Sequence, residues 1–365
     1  MSPHDKIRPI TADSILLAAE PEQIFGRFTS PRPHWIDDLE IMFRALARVW
    51  HPDRAQDPIK AKEVMQALLE LRSRAEQKIA AGTYAAVMSV TIKAKATYTD
   101  LSPMCAGDIC DLYTAYYVPA GKPAKRALVK LARDPRDADL LRAEMTSLQH
   151  FFSQAGSDDS HFKKYLPRPL EAAMVSVGGG ARPANILSLT QDSYTLAEIM
   201  SAHPQGVHPA DMAWMWRRVL EILSWVHSHK KVHGAILPCH ILLNTEIHGG
   251  RLVDWCYSVD TGHSLKAMVA DYFEIFYPPE VMDRQPATSA TDLYMLARCV
   301  KSLLGEQPVP DRISRIVDAC LIVRQAARFA DAWEVYGLLD KALRAEYGPP
   351  AFRPFTMPHK PSVTS

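Results

Sequence analysis

The sequence predicts an α+β protein with a small helical hairpin, then a part rich in strands, then a part rich in helices. Three observations lead to this fold class. Two amphipathic helical patterns lie close together before residue 81, strand-like apolar runs recur between residues 82 and 194, and long helical patterns return after residue 195. Apolar spacing of three and four residues is typical of helices, whereas alternation is typical of strands.

Composition limits the classes of function. The 365 residues are 47% hydrophobic and 23% charged, which predicts more than one globular domain with a sizeable core. A net charge of +1 predicts neither nucleic acid nor membrane as a partner. The six cysteines form no C-x-x-C pair, and no signal peptide or long apolar run stands out. We therefore expect reduced thiols and a cytoplasmic protein.

The first helical pattern begins near Asp37 and ends before Pro52, because a proline restricts the residue that precedes it to extended backbone. The second runs from about Pro58 to Ile79. Two such helices joined by a short loop can bury their apolar stripes against each other. The first stripe consists of Leu39, Met42, Phe43, Leu46, Val49 and Trp50, and the second of Val64, Leu68, Leu71, Ala75 and Ile79.

The loop between these helices contains His51-Pro52-Asp53. An H-P-D loop in a helical hairpin resembles the J domain of DnaJ-type co-chaperones, here over residues 35–81. The resemblance implies that His51, Pro52 and Asp53 contact a DnaK-type heat-shock ATPase, and that Arg44 and Arg48 form the basic docking face. The family often has a denser Lys/Arg run before the motif, which argues for weaker docking here. The alternative is a hairpin whose loop only ends a helix.

Residues with candidate functional side chains occur in a definite order after residue 82. Lys130 lies in the strand-like run Ala127–Leu131, and Glu144 lies on the next helix, fourteen residues later. The stretch Val232–Leu243 and the later Asp254 complete the series. These segments resemble the lysine strand, the glutamate helix, the catalytic loop and the metal-binding aspartate of protein kinases.

The resemblance covers about residues 101–345 and implies a bilobal protein-kinase-like domain, with an N-lobe over 82–194 and a C-lobe over 195–347. Residues 1–34 are then an N-terminal segment, and the proline-rich residues 348–365 are predicted to be a disordered tail. The implied nucleotide-binding residues are Gly107, Lys130, Glu144 and Asp254. The implied structural residues are His233, Asp292, which accepts hydrogen bonds from the loop around Gly234, and Glu280 paired with Arg328.

The residues of the catalytic loop depart from the kinase pattern. Ala235 stands where the catalytic aspartate belongs, so we expect no catalytic residue. Gly234 replaces an arginine that reads a phosphorylated loop, and Leu237 replaces a lysine that steadies phosphate. His240 replaces the metal-binding asparagine, and neutral imidazole prefers softer metals than magnesium. Asp254 remains as a magnesium ligand.

The pattern leaves nucleotide binding open. Lys130, Glu144 and Asp254 favour ATP with magnesium. Against it, the turn at 104–113 keeps only Gly107 of the phosphate-binding glycines and adds two carboxylates, Asp108 and Asp111. An ordinary hairpin turn explains that segment equally well.

Three functions fit these observations. The first is a J-domain pseudokinase, a binding or co-chaperone adaptor for an unidentified client protein that performs no ordinary phosphoryl transfer. The second is an active transferase of phosphoryl or adenylyl groups that uses Lys130, Glu144 and Asp254 with displaced chemistry. In the third, the hairpin with His51 is the functional part and the other domain is a client platform.

Overall fold

The computed structural model shows two compact units. The sheet unit contains Ile10–Ala138 and Leu170–Leu189, and the helical unit contains Asp139–Pro169 and Thr190–Ser365. The sheet unit contains both the predicted helical hairpin and the predicted small sheet. The residues that the structure describes are 12–16, 18, 20–26, 35–52, 57–81, 84, 92–156, 159–177, 180–189, 192–269 and 271–357.

The predicted helical hairpin is present in the sheet unit. Helix α3 spans Trp35–Val49 and α4 spans Pro58–Ala80, following the short helices α1 (Ala12–Leu16) and α2 (Glu22–Phe25). The Asp57 side chain accepts hydrogen bonds from two N–H groups in the first turn of α4, which fixes where that helix begins. Glu40 in the first half of α3 pairs with Arg72 late in α4 at 2.9 Å, so the two helices are antiparallel.

Helices α1 and α2 belong to the same core as the hairpin. Lys60 pairs with Asp13 at 3.0 Å, and Lys78 pairs with both Glu20 and Glu22. The sequence predicts a separate N-terminal segment over residues 1–34, whereas α1 packs against α4 and α2 against α3, and both helices contribute to one apolar cluster. We call α1–α4 and Tyr84 the helical module. The buried residues of its apolar cluster are Ala12, Ile15, Ile24, Phe25, Leu39, Phe43, Val64, Leu68, Leu71, Ala75 and Tyr84.

A six-stranded sheet makes up the rest of the described sheet unit. Its strands lie in the order β1-β2-β3-β4-β6-β5, and the pairs β1-β2, β2-β3, β3-β4 and β4-β6 are antiparallel. One face buries Val129, Leu131 and Ile186, whose β-branched and leucine side chains suit a packed sheet. The strands are β1 (Ile92–Lys93), β2 (Thr97–Ala106), β3 (Cys110–Tyr117), β4 (Lys125–Ala132), β5 (Pro169–Val177) and β6 (Gly180–Ser188).

The helical unit is built around α8, which packs against α10 and α12. Pro209 lies in its first turn, where the missing N–H costs nothing, and the His208 ring accepts a hydrogen bond from Ala210 N. The helices are α5 (Ala138–Ser153), α6 (Asp159–Phe162), α7 (Leu196–Ala202), α8 (Pro209–Ser228), α9 (Pro279–Met282), α10 (Ser289–Leu304), α11 (Asp311–Cys320) and α12 (Ala332–Tyr347).

Short strands position the loops of the helical unit. A three-stranded sheet has the order β10-β9-β7, and β8 pairs antiparallel with β11. Within the described residues, no helix is both long enough and apolar enough to cross a membrane. The strands are β7 (Tyr194–Thr195), β8 (Lys231–Val232), β9 (Ile241–Asn244), β10 (Gly249–Leu252) and β11 (Val259–Asp260).

The sequence predicts a disordered tail over residues 348–365, of which the structure describes the part up to residue 357. This part forms no helix or strand after α12. Arg353 nevertheless pairs with Asp211 at 2.8 Å, and the Phe352 ring stacks on His248. Aromatic and ionic contacts of this kind depend on the folded surface, so composition alone does not reveal them.

Candidate functional site

The loop that follows β8 is held by one buried carboxylate. Asp292 on α10 accepts hydrogen bonds from the backbone N–H of His233 at 2.8 Å and of Gly234 at 2.9 Å. It also lies 2.9 Å from Nε2 of His227 on α8. The bonds to the loop backbone are those that the sequence predicts for Asp292. The contact of His227 with Asp292 was not predicted. The only indication of it in the sequence is that His227 lies shortly before the loop.

His233 has a defined tautomer. Its Nε2 lies 3.1 Å from the carbonyl oxygen of Val253, so this nitrogen carries a proton, whereas Nδ1 accepts a hydrogen bond from Ala235 N. The ring is fully buried, and this burial lowers its pKa to about 4. His233 is therefore a neutral scaffold residue that joins the loop to the segment before Asp254.

Gly234 meets a steric requirement of the loop. Its φ is +75°, a conformation that glycine adopts without strain. A Cβ at this position would lie 2.6 Å from both the carbonyl oxygen of Tyr257 and a side-chain carbon of Leu265. The arginine that kinases carry here is therefore incompatible with this backbone. The next residue, Ala235, is completely buried and presents only a methyl group.

His240 and Asp254 form an ion pair at the end of the loop. Nδ1 of His240 faces the carbonyl oxygen of Ala235 at 2.9 Å, and Nε2 lies 3.2 Å from a carboxylate oxygen of Asp254. Burial alone would lower the pKa of His240, but Cys239 and the Asp254 carboxylate hold it well above its usual range. Both ring nitrogens face acceptors, which favours the protonated imidazolium form of His240.

A group of three candidate metal-ligating side chains surrounds Asp254. Glu144, Asp254 and Cys256 bring their ligand atoms within 4.8 Å of one another. Glu144 is fully buried and accepts a hydrogen bond from Trp255 N at 3.3 Å. Magnesium prefers several oxygen ligands, whereas this set contains a thiol and its aspartate already pairs with His240. These donors do not fit the magnesium site that the kinase pattern implies.

The remaining predicted nucleotide-binding residues lie in the sheet unit. Lys130 is a buried residue of β4, opposite Asn185 of β6. Gly107 lies in the turn between β2 and β3, and its N–H donates to the carbonyl oxygen of Cys110 at 2.8 Å. Asp111 pairs with Arg133 at 2.9 Å, which offsets the negative charge predicted there. The turn thus has the geometry of an ordinary hairpin, and a pair between Lys130 and Glu144 stays a prediction.

Glu280 and Arg328 form the buried pair that the sequence predicts. Two parallel N–H···O bonds join the guanidinium to the carboxylate, at 2.6 and 2.9 Å. The Arg328 side chain is fully buried, and it also donates to the carbonyl oxygens of Ile322 and Val323. This network ties α9 to the segment before α12.

The predicted chaperone-contact residues lie at the end of α3. Arg44 and Arg48 are exposed, but Arg44 Nε pairs with Glu40 at 2.7 Å, which neutralises part of the basic face. His51 is exposed and Pro52 follows it, whereas Asp53 lies outside the described residues. The hairpin is therefore observed, and a J domain is not established by it.

A small antiparallel sheet, a helix carrying a buried glutamate, and a helical unit with a buried catalytic-type loop define a protein-kinase-like fold. The crystal structure of the BubR1 kinase domain resembles this chain with a TM-score of 0.53 and 16% sequence identity. The match covers 71% of this chain and 84% of that chain, and at this identity it shows the fold alone. No family model matches the sequence, and no curated protein matches it.

Proposed function

We propose that the kinase-like part of this chain is a pseudokinase, which binds a partner protein and performs no ordinary phosphoryl transfer. The observation that carries the proposal is the pairing of His240 with Asp254 beside Ala235. Phosphoryl transfer needs a carboxylate that positions the attacking hydroxyl and a metal ion that neutralises phosphate. Ala235 lacks the first group, and the second would have to displace His240 from Asp254.

The proposal is tested by measuring transfer of the γ-phosphate of ATP to the chain itself and to a general protein substrate. We expect no transfer by the wild type. Ala235→Asp alone should not restore it, because the His240–Asp254 pair remains. Autophosphorylation by the wild type that Lys130→Met abolishes would show the proposal to be wrong.

A second candidate function is an active transferase whose catalytic groups lie at positions other than those of an ordinary kinase. The observation in its favour is that Glu144 is buried beside Asp254 and Cys256, a cluster of nucleophilic and acidic groups that a scaffold does not require. Phosphoryl and adenylyl groups add different masses to their acceptors. Intact mass spectrometry of candidate acceptor proteins incubated with ATP would reveal either adduct, and unchanged masses would remove this alternative.

For the helical module we propose a co-chaperone role toward a DnaK-type heat-shock ATPase, with a client protein held elsewhere on the chain. An exposed His51 at the end of α3, beside an exposed Arg48, supports this proposal. The full chain should stimulate the ATPase, and His51→Gln should abolish the stimulation. Lys62→Gln, an exposed change on α4, is the matched control. Absence of stimulation by the wild type contradicts the proposal.

A further inference from the structure

The C-terminal tail lies on a distinct aromatic face of the helical unit. His248, in the turn between β9 and β10, stacks on Trp214 of α8 with ring centroids 4.1 Å apart and planes 5° from parallel. His203 at the end of α7 and Asp211 in the first turn of α8 complete the surface. We call His203, Asp211, Trp214 and His248 the tail-binding face.

The tail contacts this face with a regular pattern. The Phe352 ring stacks on His248 at 4.4 Å, and Phe355 packs against His203 at 5.2 Å. Between them, Arg353 pairs with Asp211 at 2.8 Å. Pro354 favours extended backbone at the preceding residue, so the motif is an extended segment with little conformational freedom to lose. Recognition of an extended, proline-containing segment by aromatic side chains is one established mode of peptide binding.

The tail is held loosely although it fits the face. Phe352 remains 64% exposed, and the Arg353 side chain remains 54% exposed. An ion pair that is open to solvent contributes little to binding. The covalent link compensates, since it keeps the tail near the face at a high effective concentration. A contact of this kind can be exchanged without unfolding the domain.

The face also contains polar atoms that the tail leaves without partners. Among the described residues, the buried Nε1 of Trp214 and Nε2 of His248 make no hydrogen bond. Both belong to the two rings that stack on each other at the centre of the face. A buried polar atom without a partner is unfavourable.

We propose that the tail-binding face is a docking site for an extended segment of another protein, with the pattern aromatic–Arg–Pro–aromatic, and that the chain's own Phe352–Phe355 motif occupies this site in its absence. The pattern follows from the contacts that the tail makes. Two aromatic rings match His248 and His203, and one arginine matches the charge of Asp211. The tail then acts as a tethered competitor, so a higher concentration of the partner is required for it to bind the face.

The probe is a fluorescent peptide with the sequence of residues 349–357, titrated into the full chain and followed by anisotropy. The variant Phe352→Ala/Phe355→Ala removes the competing motif and should bind the peptide at least tenfold more tightly than the wild type. Pro349→Ala/Pro350→Ala, which keeps both aromatic rings, is the matched control and should behave as the wild type.

A charge exchange then assigns the binding to this face. Adding Asp211→Arg to the double alanine variant should weaken peptide binding at least tenfold. A peptide with glutamate in place of its arginine should restore it, which a misfolded variant would not do. Equal affinity of the wild type and the double alanine variant, or no anisotropy change at millimolar peptide, overturns the proposal. A dimer in sedimentation that depends on Phe352 and Phe355 overturns it in favour of a second copy of this chain.

Discussion

Nε2 of His240 lies 3.2 Å from a carboxylate oxygen of Asp254, and its other ring nitrogen faces the carbonyl oxygen of Ala235. This relationship places a side-chain cation at the position where a kinase would hold a metal ion. The charge of Asp254 is thus balanced within the fold. Under the proposed pseudokinase function, Ala235 and the His240–Asp254 pair would act together to prevent ordinary phosphoryl transfer.

This pairing leads to a prediction about magnesium. In the wild type, magnesium should not change the thermal shift produced by ATP, because His240 already balances Asp254. Ala235→Asp/His240→Asn should make the shift magnesium-dependent, since stabilisation by a ligand grows with the logarithm of its concentration relative to Kd. His229→Asn is the matched control, because His229 similarly faces a carbonyl oxygen and the carboxylate of Asp159. A magnesium-dependent shift in the wild type would contradict the prediction.

Gly234 should tolerate no side chain. Gly234→Ala combines a positive φ with contacts of 2.6 Å to Tyr257 and Leu265, so we expect it to lower the free energy of unfolding by about 3 kcal/mol or more. Gly262→Ala is the matched control: φ is +89° and nothing lies within 4 Å of the new Cβ. It should cost only about 1–2 kcal/mol. Urea denaturation of both variants measures the difference, and equal losses would refute the steric argument.

The buried pair between Glu280 and Arg328 should be costly to break. Arg328→Ala leaves a carboxylate buried without its partner, and we expect a loss of about 3–5 kcal/mol in the free energy of unfolding. Arg312→Ala removes an exposed partner of Glu346 and should cost less than about 1 kcal/mol. Chemical denaturation distinguishes the two values. A small loss for Arg328→Ala would mean that water reaches Glu280.

His233 should make the fold sensitive to mild acid. Burial lowers its pKa in the folded state from 6.5 to about 4, so only the unfolded chain takes up a proton between these values. Its contribution to stability is complete above pH 6.5 and is lost as the pH falls toward 4. The full loss corresponds to about 3 kcal/mol. Urea midpoints measured from pH 7 to pH 4.5 test this.

A variant shows whether His233 is the source of that pH dependence. His233→Asn should flatten the dependence of the free energy of unfolding on pH, because the asparagine side chain takes up no proton in this range. His51→Gln, a change at an exposed histidine, is the control. An unchanged slope in His233→Asn would place the origin of the acid sensitivity at another group.

Long patterned segments made much of the fold predictable. Helices α3, α4 and α8 carry apolar stripes and clear proline signals, and the order of Lys130, Glu144 and Asp254 indicated the kinase-like arrangement. Helices α1 and α2 have five and four residues, too short to show a helical period. Their place in the core follows from tertiary packing and from the acidic partners of Lys60 and Lys78.

The candidate site likewise contains some contacts that the sequence predicted and others that it did not. The role of Asp292 and the pair of Glu280 with Arg328 were predicted from the positions of these residues in the series of motifs. The imidazolium at His240 depends on two acceptors brought together by the fold, Ala235 and Asp254. Likewise, the need for Gly234 arises from Tyr257 and Leu265, which are distant in sequence. Such contacts have no signature in spacing or composition.

The shared core of the helical module determines how this protein can be dissected. A fragment of residues 35–81 would retain the H-P-D loop but lose Ile15, Ile24, Phe25 and Tyr84 from the apolar cluster. Lys60 and Lys78 would also lose their acidic partners in the N-terminal segment. Such a fragment would aggregate, and its failure in a co-chaperone assay would say nothing about the loop. The smallest meaningful fragment begins before Ala12 and ends beyond Tyr84.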